Sequence, residues 1–168
     1  MKKTKLFSLL LACVLMLGVL SACGGNSEFN MPKGDTIKVT VSVYNDPRQS
    51  DPENEDLYTD EDVEYLVPET EIETDYTTVL GVMNQVLTNS GLSFEISQDG
   101  ATFSSIGSYM EIAPTTSDGY GYCWSFRVGS RTGGNAQNTQ INDGDTITFY
   151  YEAYENEGIS EEDLLENE

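Results

Sequence analysis

Three features of the sequence predict an α+β domain in which strands pack against a single helix. Residues 36–44 alternate between apolar and polar side chains, which is typical of a strand with one buried face. Residues 77–91 carry apolar side chains at the spacing of a helix. Short apolar stretches separated by turn residues then continue to residue 154, which indicates a further set of strands.

An acidic segment separates the first two predicted strands. The inward side chains of the first strand are expected to be Ile37, Val39, Val41 and Val43. Residues 45–62 contain two prolines and predict a long exposed loop, because runs of like charge are usually solvated. The second strand is predicted over residues 63–72. Pro68 interrupts it and cannot donate a ladder hydrogen bond, so we expect an edge position or a bulge there.

The predicted helix begins after Thr77 or Thr78, either of which can cap its first turn. Its apolar side chains are Val79, Leu80, Val82, Met83, Val86 and Leu87. Residues 89–91, Asn-Ser-Gly, offer a left-handed stop. A glycine inside a helix costs about 1 kcal/mol relative to alanine. We therefore expect the helix to approach a strand closely at Gly81.

Short strands are predicted after the helix at residues 93–97, 101–106, 109–112, 122–128 and 146–154. Trp124, Phe126 and Val128 share one strand face by period two, and we expect them in the core rather than in a ligand platform. Residues 142–145, Asn-Asp-Gly-Asp, favour a tight turn. Two strands, a helix and further strands outline a β-grasp-like sheet with one packed helix.

The first 22 residues have the pattern of a signal peptide. Three lysines precede an apolar stretch at residues 6–20, which is shorter than the roughly 20 residues of a membrane-spanning helix. The run Leu20-Ser21-Ala22-Cys23 resembles a bacterial lipobox. The resemblance implies that Cys23 is lipidated and anchors the mature chain to the extracytoplasmic face of the cell membrane. The alternative is a cleaved, secreted protein.

Domain boundaries follow from the signal peptide and the strand pattern. Residues 23–35 are interpreted as a tether, residues 36–154 as one domain with an acidic insertion at 45–62, and residues 155–168 as an acidic tail. Residues 23–168 carry five basic and 29 acidic side chains, a formal charge of −24. This charge argues against nucleic acid and anionic lipid as partners, because both require a basic face.

The chain contains no histidine, which excludes Ser-His-Asp and Cys-His catalysis and histidine-containing zinc sites. Residues 51–56 lack the glycine of an EF-hand loop, so no metal site is predicted. Of the three cysteines, Cys13 leaves with the signal peptide and Cys23 takes the lipid. Cys123 then has no disulfide partner and is interpreted as a small buried apolar residue. A hydrolase that uses two carboxylates remains an alternative to a protein without catalytic activity.

Four segments in order resemble the domain shared with the C-terminal part of transcobalamin and intrinsic factor. They are Thr78-Val79-Leu80, residues 107–112 (GSYMEI), residues 124–129 (WSFRVG) and residues 141–147 (INDGDTI). The bacterial branch is a domain of unknown function, family 4430 type, usually carried by surface proteins. The chain lacks the helical barrel with which the animal proteins enclose cobalamin, so the resemblance implies at most part of a corrinoid site.

Aromatic residues are the candidate ligand-binding positions: Tyr109, Tyr120, Tyr122, Trp124 and Tyr150. Tyrosine supplies rigid contact area at low entropy cost, and Tyr120 and Tyr122 lie beside two glycines. We expect a monomeric, non-catalytic binding module without a cofactor, which takes a small ligand such as a corrinoid. The alternative is an adhesion module that binds a surface protein or a cell-wall glycan.

The lipobox prediction concerns one side chain. Cys23→Ser removes the thiol that accepts the lipid, so the full-length protein should move from the membrane fraction to the soluble fraction or the medium. The measurement is fractionation followed by immunoblotting. Cys13→Ser, a cysteine inside the apolar stretch, is the matched control and should leave the protein in the membrane fraction. Equal membrane retention of both variants would contradict lipidation at Cys23.

Overall fold

The computed structural model describes residue 29, residues 31–114 and residues 119–155. The chain divides into the units Met1–Asn30 and Met31–Glu168, and every element below belongs to the second unit. The predicted signal peptide, Cys23 and the acidic tail beyond Glu155 lie outside the described residues.

The described residues form a mixed α+β unit that is mostly sheet, so the predicted class is confirmed. The strands are β1 (Lys33–Asn45), β2 (Glu64–Tyr76), β3 (Phe94–Ile96), β4 (Phe103–Ile106), β5 (Tyr109–Met110), β6 (Tyr120–Val128), β7 (Arg131–Thr132) and β8 (Thr146–Glu155). The helices are α1 (Pro47–Ser50) and α2 (Val79–Asn89), with 3₁₀ turns at Pro52–Leu57 and Asp60–Asp62.

The main sheet has the strand order β2-β1-β8-β6-β7. Its two central strands, β1 and β8, are parallel, whereas β2 and β6 pair antiparallel to them on either side. The parallel pairing runs from Thr40 opposite Thr146 to Asn45 opposite Tyr151. The first and last strands of the described unit therefore form the centre of the sheet.

β1 and β2 are both longer than the sequence predicts. β1 begins at Lys33, so the last residues of the predicted tether belong to the strand. β2 continues to Tyr76 through Pro68. The expectation for Pro68 is confirmed, because β2 is an edge strand and its register with β1 shifts between Val67 and Thr70. The bulge accommodates the residue that cannot donate a hydrogen bond.

The prediction that residues 45–62 form one long loop is wrong in part, because this segment contains α1 and the two 3₁₀ turns. Asp46 caps α1 and accepts hydrogen bonds from the backbone N–H and the guanidinium of Arg48. Arg48 also donates to Asp60 over 2.8 Å. The Arg48 side chain holds the pKa of the buried Asp46 carboxyl below its usual range. One arginine thus organises an otherwise acidic segment.

Thr78 caps α2, and its hydroxyl accepts a hydrogen bond from the Gly81 amide. The six predicted apolar side chains of the helix are all buried. The helix ends before Gly91, whose φ of 69° is the left-handed conformation expected there. A methyl group on Gly81 would lie 2.7 Å from the Tyr76 ring, so the close approach to a strand is confirmed.

The later strands do not all join one sheet, which corrects the prediction of a single sheet. β3, β4 and β5 form a separate three-stranded antiparallel sheet. Strands this short build only a small layer, and it packs onto the main sheet through Phe103, whose ring meets the Phe149 ring edge-on at 5.6 Å. Phe126 stacks on the other side of Phe149 at 5.2 Å. The core lies between the main sheet, α2 and this small sheet.

The predicted turn at residues 142–145 fixes the start of β8 against β1. Gly144 adopts φ 82°, and its amide donates to the Lys38 carbonyl. The Asp143 carboxylate accepts a hydrogen bond from the Lys38 amide over 2.8 Å. Asp145 accepts from the Asn142 amide within the turn. The tetrad therefore acts as a structural clamp between the two central strands.

Gly133 provides a test of core packing. A Cβ atom here would overlap the Phe126 ring, whereas a Cβ atom at the adjacent Gly134 would meet nothing within 4 Å. Gly133→Ala should lower the free energy of unfolding by about 1–3 kcal/mol, because inserted methyl groups strain a packed core. Gly134→Ala is the matched control and should change it by less than about 0.5 kcal/mol. Urea denaturation measures both. Equal stability of the two variants would contradict the packing described.

Candidate functional site

Three of the predicted ligand-binding residues meet in one aromatic cluster, defined here as Tyr109, Tyr122, Trp124 and Tyr151. The Trp124 ring lies 5.4 Å from Tyr151 and 6.2 Å from Tyr109, centre to centre. Tyr122 stacks on Tyr151 at 6.0 Å. The cluster lies on the core face of the main sheet, at the end where β5 crosses over it.

Hydrogen bonds within the aromatic cluster tie the small sheet to the main sheet. The Trp124 indole N–H donates to the Tyr109 carbonyl over 3.1 Å, and the Tyr151 hydroxyl donates to the Met110 carbonyl over 2.6 Å. The Tyr109 hydroxyl donates to the Glu64 carboxylate over 2.6 Å. Burial, followed by this hydrogen bond, raises the pKa of the Tyr109 hydroxyl. The polar groups of these rings are therefore engaged in holding the fold together.

The structure does not bring all five predicted residues to one surface. Trp124 is 1% exposed and lies in the core, as its strand pattern predicts. Tyr120 is half-buried, and its hydroxyl donates to Glu155. Tyr150 is on the opposite face of the sheet from Trp124, and neighbouring side chains leave only 6% of it exposed. Cross-strand packing explains this, because Tyr44 and Arg127 cover Tyr150.

Cys123 is less enclosed than the sequence predicts. It is half-buried on the open face of the sheet, the face opposite the core. Its sulfur lies 3.8 Å from the Ser125 hydroxyl. Burial raises the pKa of the thiol, which keeps it in its unreactive protonated form at neutral pH.

The open face of the main sheet carries a groove that the sequence did not predict. Its volume is about 450 Å³, and its lining residues are Ser42, Tyr44, Tyr65, Pro68, Glu69, Arg127, Gly129 and Thr148. Two neighbouring cross-strand rows create it. One row places Ser42, Thr148 and Arg127 side by side on β1, β8 and β6. These short hydroxyl side chains on the central strands form the floor.

The second row is a ladder of three tyrosines, of which Tyr44 and Tyr65 form a wall of the groove. Tyr65, Tyr44 and Tyr150 are paired across β2, β1 and β8. The ring centres of Tyr44 lie 5.5 Å from Tyr65 and 6.3 Å from Tyr150. Tyr65 is 55% exposed, which is unusual for so large a ring. The groove therefore offers an aromatic surface beside a polar floor.

Arg127 is the positively charged group of the groove. Its guanidinium carbon lies 4.6 Å from the centre of the Tyr150 ring, which is a cation–π contact. Its Nε atom is buried and has no hydrogen-bond partner in the described part of the chain. Lys33, Lys38 and Arg48 each pair with a carboxylate. Within the described ranges, no carboxylate lies within 4.0 Å of Arg127.

Sequence reasoning missed Tyr44, Tyr65 and Arg127 because it followed the apolar face of each strand. A signal was available on the opposite face. Ser42 and Tyr44 alternate with the core valines of β1, and Arg127 lies between Phe126 and Val128. An arginine in the middle of an otherwise apolar strand indicates a candidate binding residue once the strand is known to have an open face.

Comparison with known proteins does not assign the chain to a family. No model of a known protein family matches the chain, and no curated protein matches it either. Among the described residues, no group of three or more acidic, cysteine or histidine side chains could hold a metal ion. Within the same residues, no helix has the length and apolar character needed to cross a membrane.

The Tyr151 hydroxyl links alkaline pH to stability. Burial raises its pKa to about 12 in the folded state, compared with about 10 for a tyrosine in an unfolded chain. The folded state therefore holds the proton more tightly, so this contribution is complete below pH 10 and is lost as the pH rises through 12. The free energy of unfolding of Tyr151→Phe should fall less steeply than that of wild type between pH 9.5 and 11.5.

Urea denaturation across this pH range measures the slope. At pH 7, Tyr151→Phe should be less stable by about 1 kcal/mol, because the Met110 carbonyl loses its donor. This offset at pH 7 shows that the hydroxyl was removed without unfolding the protein. If the free energies of unfolding of the two proteins fall equally steeply from pH 9.5 to 11.5, the raised pKa does not belong to Tyr151.

Proposed function

We propose that the protein is a non-catalytic binding module, held at the outer face of the membrane by a lipid on Cys23, which takes a small ligand in the open-face groove. The groove itself carries this proposal. It combines an exposed aromatic ring, two hydroxyl side chains and a guanidinium without an ion-pair partner in about 450 Å³. Small-molecule sites typically combine apolar walls with a few polar groups that orient the ligand.

A β-grasp-like domain is the finer fold that we propose. Its support is the order β2-β1-β8-β6, with a parallel pair at the centre, an antiparallel β1–β2 hairpin on one side and α2 following that hairpin. The resemblance to the C-terminal domain of transcobalamin and intrinsic factor points to the same arrangement. The order of elements in the chain agrees with the order of the four segments that carry the resemblance.

The chemistry of the groove favours binding over catalysis. Glu69 is the one acidic residue that lines it, whereas hydrolysis by paired carboxylates needs two within about 5–10 Å of each other. The chain has no histidine to act as a base. The groove lining has neither a histidine nor a lysine that could activate the hydroxyls of Ser42 and Thr148 as nucleophiles.

A corrinoid is the ligand that the resemblance favours. The groove is open to solvent along the sheet face, so it would contact one side of a large planar ligand. A partner that covers the other side could then complete the site. This arrangement predicts weak binding by the described domain alone.

A second surface favours the alternative, a protein-interaction module. Met110 and Ile112 are large apolar residues that are 60% and 47% exposed, and they lie together beside the half-buried Tyr122. Exposed apolar groups of this kind can form the centre of a protein interface. This surface is on the other side of the sheet from the groove, so the two functions can be separated by mutation.

Titration with dicyanocobinamide tests the proposed function on residues 23–168 with Cys23→Ser, which contain the whole second unit. We expect a change in the corrin absorption spectrum at micromolar concentration and shifts of groove amides in ¹⁵N-resolved NMR spectra. Tyr65→Ala should weaken binding at least about tenfold, because stacking on an exposed ring is worth over 1 kcal/mol. Trp124 is buried on the core face of the sheet, so its fluorescence should change little when the ligand binds.

Met110→Ala is the matched control, since it truncates a similarly exposed side chain outside the groove. It should leave cobinamide binding unchanged. An unchanged corrin spectrum at high micromolar concentration would rule out the corrinoid. If the protein instead sediments with cell walls or a surface protein, and Met110→Ala abolishes this while Tyr65→Ala does not, the interaction module is correct.

A further inference from the structure

We propose that the open-face groove selects ligands that carry one carboxylate next to a flat apolar group, with the Arg127 guanidinium pairing the carboxylate. This inference rests on the proposed function, because it names the ligand class of the same groove. It is carried by the geometry around Arg127, which is independent of the resemblance that suggested a corrinoid.

The half-buried Arg127 side chain has one buried donor, its Nε–H group, without an acceptor among the described residues. A buried polar group that lacks a hydrogen bond destabilises the protein, and the effect is larger when the group is charged. The Nε atom of Arg127 has no partner in the described chain, and no described carboxylate neutralises the guanidinium. The terminal nitrogens of the guanidinium are not among the buried unpartnered atoms, and a ligand carboxylate would neutralise the charge by pairing with them through two parallel hydrogen bonds.

The neighbours of Arg127 fit the rest of such a ligand. Thr148 is directly opposite Arg127 in the register of β6 and β8, and Ser42 is opposite Thr148 on β1. Their hydroxyls extend the polar floor away from the guanidinium. The rings of Tyr44 and Tyr65 border this floor from the adjacent row. A ligand with its carboxylate on Arg127 would therefore place a flat group against the tyrosine ladder.

Charge restricts the ligand to a single carboxylate. Glu69 lines the groove, and Glu152 is close enough to Tyr150 to raise the pKa of its hydroxyl after burial. These acids repel a second negative charge. The formal charge of −24 on residues 23–168 acts in the same direction, although salt screens it beyond about 8 Å at physiological ionic strength. Binding of the ligand then depends on direct contact with Arg127 and not on long-range electrostatic attraction.

The experiment compares benzoate with benzamide, which has the same ring and no charge, on residues 23–168 with Cys23→Ser. Binding is followed by NMR through the Arg127 Nε–H signal and the amides of the groove residues. Benzoate should shift these signals in the millimolar range, and benzamide should bind at least about tenfold more weakly, the ratio expected for losing a charged hydrogen bond. Acetate, which has the carboxylate and no ring, should also bind more weakly than benzoate.

Variants separate the guanidinium from general charge. Arg127→Gln should remove the preference for benzoate over benzamide. Arg131→Gln removes the same charge four residues away at an exposed site outside the groove, and it should keep the preference. Arg127→Lys retains the charge but not the fork, and it should bind benzoate several-fold more weakly than wild type. If Arg127→Gln fails to fold, the comparison of benzoate with benzamide on the wild-type protein still tests the preference for a carboxylate.

The outcomes distinguish this inference from the proposed function. Equal binding of benzoate and benzamide at the groove would overturn the carboxylate class and leave a binding module. Shifts that are unchanged in Arg127→Gln would overturn the role of Arg127. If neither aromatic probe nor cobinamide shifts any groove signal, the groove is not a ligand site and both proposals fail.

Discussion

The parallel pairing of β1 with β8 is the constraint on which the rest of the structure depends. It joins residues about one hundred positions apart, so the main sheet is complete only when the last strand has joined it. The clamp at residues 142–145 sets its register through Lys38. A slip of one residue would exchange the two faces of both strands. It would expose Val41 and Phe149 and destroy the row of hydroxyls that forms the groove floor.

The two faces of this sheet have different roles. The core face is covered by α2 and by the small sheet, and the aromatic cluster joins that small sheet to the main one through its own hydrogen bonds. On the opposite face, a row of tyrosines lies next to a row of small hydroxyl residues, and residues of both rows line the groove. The difference in size between these two neighbouring rows contributes to the concave shape of the groove.

The sequence predicted what depends on local patterns and missed what depends on strand neighbours. The period-two alternation of β1, the cap at Thr78 and the bulge at Pro68 are local signals, and all three predictions were correct. Tyr109 and Tyr150 were predicted to contribute to a binding surface because tyrosine supplies rigid contact area at low entropy cost. Which strands lie beside them decides their burial, and no local pattern encodes the pairing of residue 44 with residue 150. The separate small sheet was missed for the same reason.

The same central pairing gives the domain a mechanical character. β1 begins at one end of the main sheet, and β8, running parallel beside it, ends at the other. Tension applied to the first residue of β1 and the last residue of β8 therefore pulls the two strands along their length in opposite directions. The inter-strand hydrogen bonds are then loaded together rather than opened one after another from an end. A protein held at one terminus and pulled at the other would resist force through its most central contact.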